Sequence, residues 1–254
     1  MSEAAGPVGH GTEGRKRAIF LLWAVLLPLA LMAAGVALAH FEVIAAMQGF
    51  LIYLLAGLVS LIHTALLLLM RFVLKKKPTR RVVAGAAVPF LLVIASASQG
   101  FGAPRINDIS TDLENPPQFD AVAKLPANKG RDMSFPPAFA EEVRKGYPQL
   151  TSFGTSGRQP TQKEMFDSAL EIAKSRPGWI IVRSNADEGI VEGAAETRFF
   201  RFRDDFVIRI GAKDGKTVLD MRSKSRDGKG DLGANAKRIE YIIYRVRAEL
   251  GAAS

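Results

Sequence analysis

Cysteine is absent from the 254-residue sequence, and its three histidines, His10, His40 and His63, all precede residue 100. The lack of cysteine excludes disulfide bonds, thiolate nucleophiles and cysteine-based metal or redox sites. The lack of histidine after residue 100 excludes Ser-His-Asp and Cys-His catalysis there, together with zinc sites built on those ligands. Neither a Gly-x-Ser-x-Gly turn nor a Walker loop is present. We therefore predict no metal and no cofactor.

The net charge of +9 is unevenly distributed along the chain. Nine basic and three acidic residues precede residue 100, so this segment carries +6 and the remainder only +3. Most of the excess therefore flanks apolar segments, where positive charge has a topological role. Nucleic-acid binding is not expected.

Three uncharged apolar runs occupy the first hundred residues: 18–39, 43–70 and 82–99. A helix of about 20 apolar residues crosses the hydrocarbon core of a bilayer. Basic residues precede the first run and fill the connection between the second and third, whereas residues 40–42 contain no lysine or arginine. The positive-inside rule then predicts a cytoplasmic tail at residues 1–17, three spans within residues 18–99 in the inner (plasma) membrane, and a periplasmic or otherwise extracytoplasmic remainder.

Two of these runs also resemble signal peptides. The first ends in Ala37-Leu38-Ala39 and the third in Ala95-Ser96-Ala97, and both tripeptides fit a signal-peptidase site. Cleavage after the third would release the rest of the chain, but the sequence favours retention of both. Gln48 and His63, the polar residues of the second run, are interpreted as helix–helix hydrogen-bonding groups, or for His63 as interfacial, rather than as a proton pathway.

The remaining residues predict a soluble α+β domain. Residues 100–160 are rich in proline and glycine, which indicates an extended lead-in with one short helix near residues 138–145. The domain core is assigned to residues 161–254. It begins with a helix capped by Thr161 and Glu164, continues through four strands, and ends with a helix capped by Asp231. The predicted strands are residues 179–183, 190–197, 206–210 and 217–223. We expect a two-layer sandwich of an antiparallel meander and flanking helices.

Three segments of this half resemble the family of domain of unknown function 1499 (DUF1499). They are residues 105–112 with Pro116, Pro117 and Phe119, residues 200–205, and residues 220–226 leading to 231–236. Phe200 stands where the family often has tryptophan. The resemblance covers residues 104–248 and is specific because the three segments occur in order. It implies a bacterial or plastid-type protein with no established activity.

The third segment carries a candidate anion site. Arg222, Lys224 and Arg226 alternate along a predicted strand, so their side chains share one face. The next helix then offers free N–H groups at its N-terminus. The candidate ligand-binding residues are Arg222, Lys224, Arg226, Gly230, Asp231 and Asn235. In the structural alternative Asp231 caps the helix, and the basic residues pair across the sheet with Asp204, Asp205 and Glu196.

Acidic residues supply the other candidates. Asp204 and Asp205 form an acidic pair that could supply oxygen ligands to a hard cation, with Asp108 and Asp112 as remote partners. In the alternative interpretation, the two adjacent aspartates occupy a hairpin turn. Glu192 and Glu196 are candidates for acid–base chemistry, or surface residues of one strand. No catalytic residue and no metal site is assigned.

The expected function is a membrane-tethered extracytoplasmic binding or interaction domain with an envelope-related role. Its expected partners are the lipid bilayer, a membrane protein and a small anionic ligand. One alternative is a histidine-free hydrolase or other carboxylate-dependent enzyme, and another is a structural subunit of a membrane protein complex. Two close carboxylates in a cleft would favour the enzyme. A concavity lined by Arg222, Arg226 and aromatic residues would favour binding.

Overall fold

The computed structural model describes residues 10–73, 78–98, 100–155 and 158–251. The chain divides into two compact units, Met1–Ser98 and Gln99–Ser254. The topology prediction rests on the distribution of basic residues around the three apolar runs, and the side chains of residues 15–17 and all of residues 74–77 lie outside the described part. Orientation across the membrane therefore stays a prediction.

The described residues of the first unit form three long helices: α1 (His10–His40), α2 (Ala46–Phe72) and α3 (Arg80–Ser98). Each contains a segment long and apolar enough to cross a membrane, namely Leu22–His40, Ala46–Phe72 and Arg80–Ser98. Their outward faces carry exposed leucine, isoleucine, valine and phenylalanine side chains. Such a surface suits helices whose backbone groups are satisfied internally and whose side chains meet lipid. Three candidate spans are thus confirmed.

Small and hydroxyl-bearing residues bring the three helices together. A Cβ added to Gly49 would lie 2.5 Å from the backbone oxygen of Gly35, so α1 and α2 approach at two glycines. The Ser60 hydroxyl of α2 donates to the Ala86 carbonyl and accepts the Phe90 N–H at 3.1 Å. Ser60 therefore bridges a donor and an acceptor of α3 that lie four residues apart.

The polar residues of α2 have local partners. Nδ1 of His63 lies 3.2 Å from the Ala24 carbonyl oxygen of α1, which is the interhelical contact expected of it. Oε1 of Gln48 accepts the N–H of Ala45 at 3.0 Å, so Gln48 caps the start of its own helix and not a neighbouring one.

The described residues of the second unit form six strands and three α-helices. Its first elements are β1 (Asp108–Ser110), two 3₁₀ turns (Val122–Lys124 and Pro126–Asn128), α4 (Pro137–Gly146) and β2 (Phe153–Gly154). They are followed by α5 (Gln162–Ser175), β3 (Trp179–Asn185), β4 (Ile190–Glu196), β5 (Arg203–Lys213), β6 (Lys216–Ser225) and α6 (Ala234–Gly251). The strands form one antiparallel sheet in the order β1-β6-β5-β4-β3, and β2 also pairs with β6. The predicted α+β fold and its meander are confirmed.

The sheet has six strands because the proline-rich lead-in contributes two that the sequence did not indicate. Ile109 of β1 lies opposite Ser223, and Phe153 of β2 lies opposite Leu219. Ile109 and Phe153 are both buried in the main hydrophobic core. The core is therefore not confined to residues 161–254. The short helix expected in the lead-in is α4.

Helices α5 and α6 cover one face of the sheet. The capping box predicted at the start of α5 is present, since Glu164 donates its N–H to Oγ1 of Thr161 at 3.1 Å and accepts the Thr161 N–H at 2.8 Å. Burial of apolar area, worth about 25 cal/mol per Å², then holds both helices against the sheet. The fully buried side chains at this contact include Met165, Ile239, Ile242, Val246, Phe206, Ile208 and Met221.

Irregular chain covers the opposite face. Phe119 and Val122 pack on Val207 of β5. Glu192 of β4 is fully buried beneath this segment and accepts the backbone N–H groups of residues 120–122 at 2.9, 3.1 and 3.1 Å. Glu192 is therefore not the surface residue of the structural alternative, because its carboxylate fastens the lead-in to the sheet.

Candidate functional site

Arg222 of β6, the first residue of the candidate anion site, is fully buried. Its guanidinium donates to both carboxylate oxygens of Asp108 in β1, at 2.9 and 2.7 Å. It also donates to the carbonyl oxygens of Pro117 and Met133, at 3.3 and 2.9 Å, and lies 4.6 Å from the centre of the Phe119 ring. A bidentate arginine–carboxylate pair of this kind is strong and geometrically specific. Arg222 is thus enclosed by protein and not presented to a ligand.

Lys224 shares the carboxylate of Asp108, with its Nζ 2.8 Å from Oδ2. Two cations therefore surround one buried carboxylate, and the group carries a formal charge of +1. Asp132 stands near it on the surface. Hydrogen bonds from Ser134, followed by the charges of Lys224 and Arg222, hold the pKa of Asp132 below its ordinary value.

Arg226 is bound to Asp205 of β5. Its Nη2 and Nε donate to Oδ1 of Asp205 at 2.6 and 3.1 Å. Asn128 donates to the same carboxylate at 2.9 Å, and Nη1 of Arg131 lies 3.5 Å from it. The cross-strand ion pair of the structural alternative is therefore present for Arg226. For Arg222 and Lys224 that alternative is wrong in its partner, which is Asp108.

The two adjacent aspartates separate onto opposite faces of the sheet. Asp204 accepts a hydrogen bond from Arg238 of α6 at 2.6 Å, whereas Asp205 faces the irregular segment. Both lie within β5 and not in a hairpin turn, and successive side chains of a strand alternate in direction. They therefore cannot bind one cation together. Glu196 is paired with Arg201 and Arg203.

Within the described ranges, no three histidine, aspartate or glutamate side chains are grouped so that they could hold a metal ion.

The carboxylate of Asp231 accepts hydrogen bonds from backbone N–H groups at the start of α6. It accepts the N–H groups of Gly233 and Asn235 at 2.9 and 2.7 Å. Burial raises the pKa of Asp231, in opposition to those two hydrogen bonds, and the nearby charge of Asp204 raises it further. The capping role of the structural alternative is present, although α6 begins at Ala234 and the cap therefore acts across a short turn.

The last two residues of the candidate set serve the same junction. The side chain of Asn235 accepts a hydrogen bond from Ser223 at 2.7 Å and donates one to Ser225 at 2.9 Å. Both serines therefore point away from the basic residues, as expected. A Cβ added to Gly230 would lie 3.4 Å from the Arg105 backbone. The candidate anion residues thus form a protein-internal network, and an anion at them stays a prediction.

An open groove lies where β5 and β6 meet the chain after β1. It consists of two cavities of about 460 and 450 Å³ that share Asp112, Glu114 and Lys213. Arg144 and Tyr147 line the first cavity, and residues of the two strands line the second.

Arg209 of β5 organises the polar side of this groove. Its Nη2 donates to Asp112 at 2.9 Å and to Asp220 at 3.0 Å. Asp220 also accepts the hydroxyl groups of Thr111 and Ser152, at 3.1 and 2.6 Å. Two carboxylates thus lie close together in a cleft, but a guanidinium joins them.

The amino-acid sequence matches one family model. Residues 108–246, more than half of the chain, match the family described as protein of unknown function (DUF1499). The chain belongs to this family. No curated protein matches it, and no solved structure matches it. The DUF1499 domain runs from Asp108 of β1 to Val246 of α6 and so contains the ionic network and the groove.

The pKa of Asp112 determines whether this carboxyl group of the groove could act as a general acid. Burial acts to raise the pKa of Asp112, but the N–H groups of Asn115 and Glu114 and the charges of Lys213 and Arg209 outweigh it, so that this pKa is lowered. A general acid at neutral pH requires a raised pKa. Asp112 is therefore suited to binding a cation or a donor group and not to donating a proton.

The pairing of Arg209 with Asp220 in this groove could have been predicted from the sequence, but it was not. Asp214-Gly215 is a two-residue turn signal, and pairing outward from it places Arg209 opposite Asp220, as observed. Alternation also puts Asp220 on the face of Arg222. Asp112 carried no such signal, because it reaches Arg209 from a segment 97 residues away.

Proposed function

We propose that this protein is a membrane-tethered binding module whose groove takes a small polar ligand with an anionic group outside the cytoplasm. The observation that carries the proposal is the groove beside β5 and β6, with its Asp112–Arg209–Asp220 bridge. Ligand pockets combine a preformed cavity with a few fixed polar groups. Here the hydroxyls of Thr111 and Ser152 donate to Asp220, and Asp220 and Asp112 together hold Arg209 in place.

Two cations of the first cavity are available to an anionic group. Lys213 is 50% exposed and reaches Asp112 only at 4.0 Å. Arg144 is exposed at the same cavity. Three basic and three acidic side chains line the groove as a whole, and Glu114 is exposed among the acids. We infer a ligand whose anionic group contacts Arg144 and Lys213 and whose remaining polar groups face Glu114.

The geometry favours binding over hydrolysis. Asp112 and Asp220 are the close carboxylates that a carboxylate-dependent enzyme requires, but Arg209 binds both. A hydrolase needs one carboxylate protonated or one free to attack. The lowered pKa of Asp112 opposes the first role and its bond to Arg209 opposes the second.

Native mass spectrometry of the detergent-purified full chain tests the binding proposal. We expect a retained small molecule in wild type that is absent from the double variant Arg144→Ala/Lys213→Ala. Lys216→Ala is the matched control, since Lys216 is exposed in the same hairpin but does not line the groove. Equal retention by all three proteins, or none by wild type, would contradict the proposal. A co-purifying protein in place of a small molecule would favour the structural subunit.

Reporter fusions test the location. The distribution of basic residues around the three apolar runs supports an extracytoplasmic domain. We expect a reporter that is active only outside the cytoplasm to work when it is fused at Ser254 and to fail when it is fused at Lys76. The reverse pattern would place the DUF1499 domain in the cytoplasm.

A further inference from the structure

Two apolar side chains of the second unit, one of them close to its first residue, are exposed. Phe101 is 95% exposed, and Leu232, in the turn before α6, is 53% exposed. The two line one shallow cavity, and a Cβ added to Gly100 would lie 2.5 Å from the Leu232 Cβ. Phe101 and Leu232, here called the apolar patch, therefore belong to one surface.

The backbone holds Leu232 in this exposed position. Leu232 has φ of +52°, in the left-handed region that bulky residues rarely adopt. The turn is fixed on both sides of it, because Asp231 accepts the N–H groups of Gly233 and Asn235. Unusual backbone conformations of this kind persist where the surroundings over-determine them and are frequent at functional positions.

Chain length limits how far the patch can lie from the end of α3. Helix α3 ends at Ser98, three residues before Phe101. An extended chain spans at most about 3.6 Å per residue, so Phe101 lies within about 11 Å of Ser98. The headgroup layer on each side of a bilayer is about 5–8 Å thick. If α3 spans the membrane and ends at the edge of the hydrocarbon core, the connecting chain is short enough for Phe101 to reach the headgroup layer.

Basic residues lie close to the patch in the sequence, since Arg105 follows Phe101 by four residues and Lys229 precedes Leu232 by three. Arg105 and Lys229 are both exposed, and the backbone of Arg105 lies against Gly230. Neither side chain makes an ion pair within the described ranges. Exposed apolar residues with flanking arginine or lysine are the combination that binds a membrane surface, through apolar insertion and attraction to lipid phosphates.

We propose that Phe101 and Leu232 form an interfacial anchor that inserts into the headgroup layer of the bilayer containing α3, with Arg105 and Lys229 on the lipid phosphates. The anchor restricts the DUF1499 domain to the membrane surface instead of leaving it free on a flexible linker. The proposal rests on α3 being a membrane span. It does not depend on a ligand in the groove.

The absence of cysteine allows a direct test in the full-length protein. Phe101→Cys and Leu232→Cys are labelled with a nitroxide after reconstitution into phosphatidylcholine vesicles with and without phosphatidylglycerol. Ile180→Cys and Tyr244→Cys are the matched controls, since these side chains are 64% and 68% exposed elsewhere on the domain. The readout is the ratio of collision rates with oxygen, which concentrates in lipid, and with a water-soluble nickel chelate.

We expect an oxygen-to-nickel ratio several-fold higher at positions 101 and 232 than at the two controls. The difference should grow with phosphatidylglycerol and shrink in Arg105→Gln/Lys229→Gln, but not in the control Lys216→Gln. Water-like ratios at 101 and 232 would overturn the proposal. So would spin–spin broadening at 101 that vanishes on dilution with unlabelled protein, because the patch would then contact a second copy of this chain. Exposed positions carry the labels, so unchanged melting temperatures are expected throughout.

Discussion

Asp108→Asn is the substitution to which the buried ionic network is most sensitive. Asp108 is fully buried and accepts charge-assisted hydrogen bonds from Nε and Nη2 of Arg222 and from Nζ of Lys224. Its neutralisation leaves two buried cations with no carboxylate between them. Removal of one partner of a buried pair costs about 3–5 kcal/mol, and we expect a loss of unfolding free energy in that range.

Arg222→Met is the informative comparison. It removes one cation and leaves Asp108 paired with Lys224 at 2.8 Å, so the remaining pair is neutral. The carbonyl oxygens of Pro117 and Met133 lose their donor, at a cost of about 1–3 kcal/mol. We therefore expect Arg222→Met to be less destabilising than Asp108→Asn. The double variant should cost less than the sum of the two, because the residues are in direct contact.

Tryptophan fluorescence can measure these changes in unfolding free energy in the full chain, which contains two tryptophans. With Trp23 replaced by phenylalanine, Trp179 is the only indole, and its ring centre lies 4.7 Å from that of Phe206 in the core of the second unit. Its fluorescence during guanidinium unfolding in detergent therefore reports on that unit. A cost below about 1 kcal/mol for Asp108→Asn, the range of exposed pairs, would refute the structural role of the network. A larger loss of unfolding free energy for Arg222→Met than for Asp108→Asn would contradict the description of two buried cations that share one carboxylate.

Four further results follow from the structure. Asp231→Ala should cost about 0.5–2 kcal/mol in the same unfolding assay through loss of a helix cap, and no change would show that the turn is held by other contacts. Sulfate should raise the melting temperature of wild type and of Arg226→Ala equally, because Arg226 is bound to Asp205, whereas a shift confined to wild type would indicate an anion site that includes Arg226. A chelator should leave the melting temperature unchanged, and a drop that calcium reverses would contradict this. Hydrogen bonds from Arg158 and then Thr161 lower the pKa of Glu164 to about 2. Since that pKa is below its ordinary value of 4.5, the associated stability is present above pH 4.5 and lost as the pH falls toward 2. Glu164→Gln should therefore make the unfolding free energy less dependent on pH between 4.5 and 2.

Local patterns were enough for the elements whose partners are near in sequence. The capping box of Thr161 and Glu164 marks the start of α5, and apolar spacing marks α6. Asp214-Gly215 is a turn signal at the point where the observed β5 joins β6. Three uninterrupted apolar runs likewise indicated the three candidate spans. Each of these follows from backbone hydrogen bonding and side-chain periodicity within about 20 residues.

Residues with distant partners could not be assigned in the same way. Nothing near Asp108 in the sequence indicates that it pairs with Arg222, 114 positions away, or that its strand adds to the sheet edge. The sequence left Glu192 as a candidate either for acid–base chemistry or for a surface position, because the N–H groups of residues 120–122 that bind its carboxylate lie about 70 positions away. The alternation of charges along β6 predicted a shared face correctly, but a shared face is compatible with either an open site or a sealed one.

The tertiary structure decided between those two outcomes for physical reasons that composition does not contain. Burying a cation is costly unless a carboxylate and further acceptors meet it at bonding distance, so Arg222 could be enclosed only once Asp108, Pro117 and Met133 had converged on it. The amino-acid sequence by itself determined the fold class, the family resemblance and the apolar spans, because those depend on local periodicity and on motifs read in order. Which charges became internal, and which were left to line a groove, depended on where the irregular lead-in came to lie on the sheet.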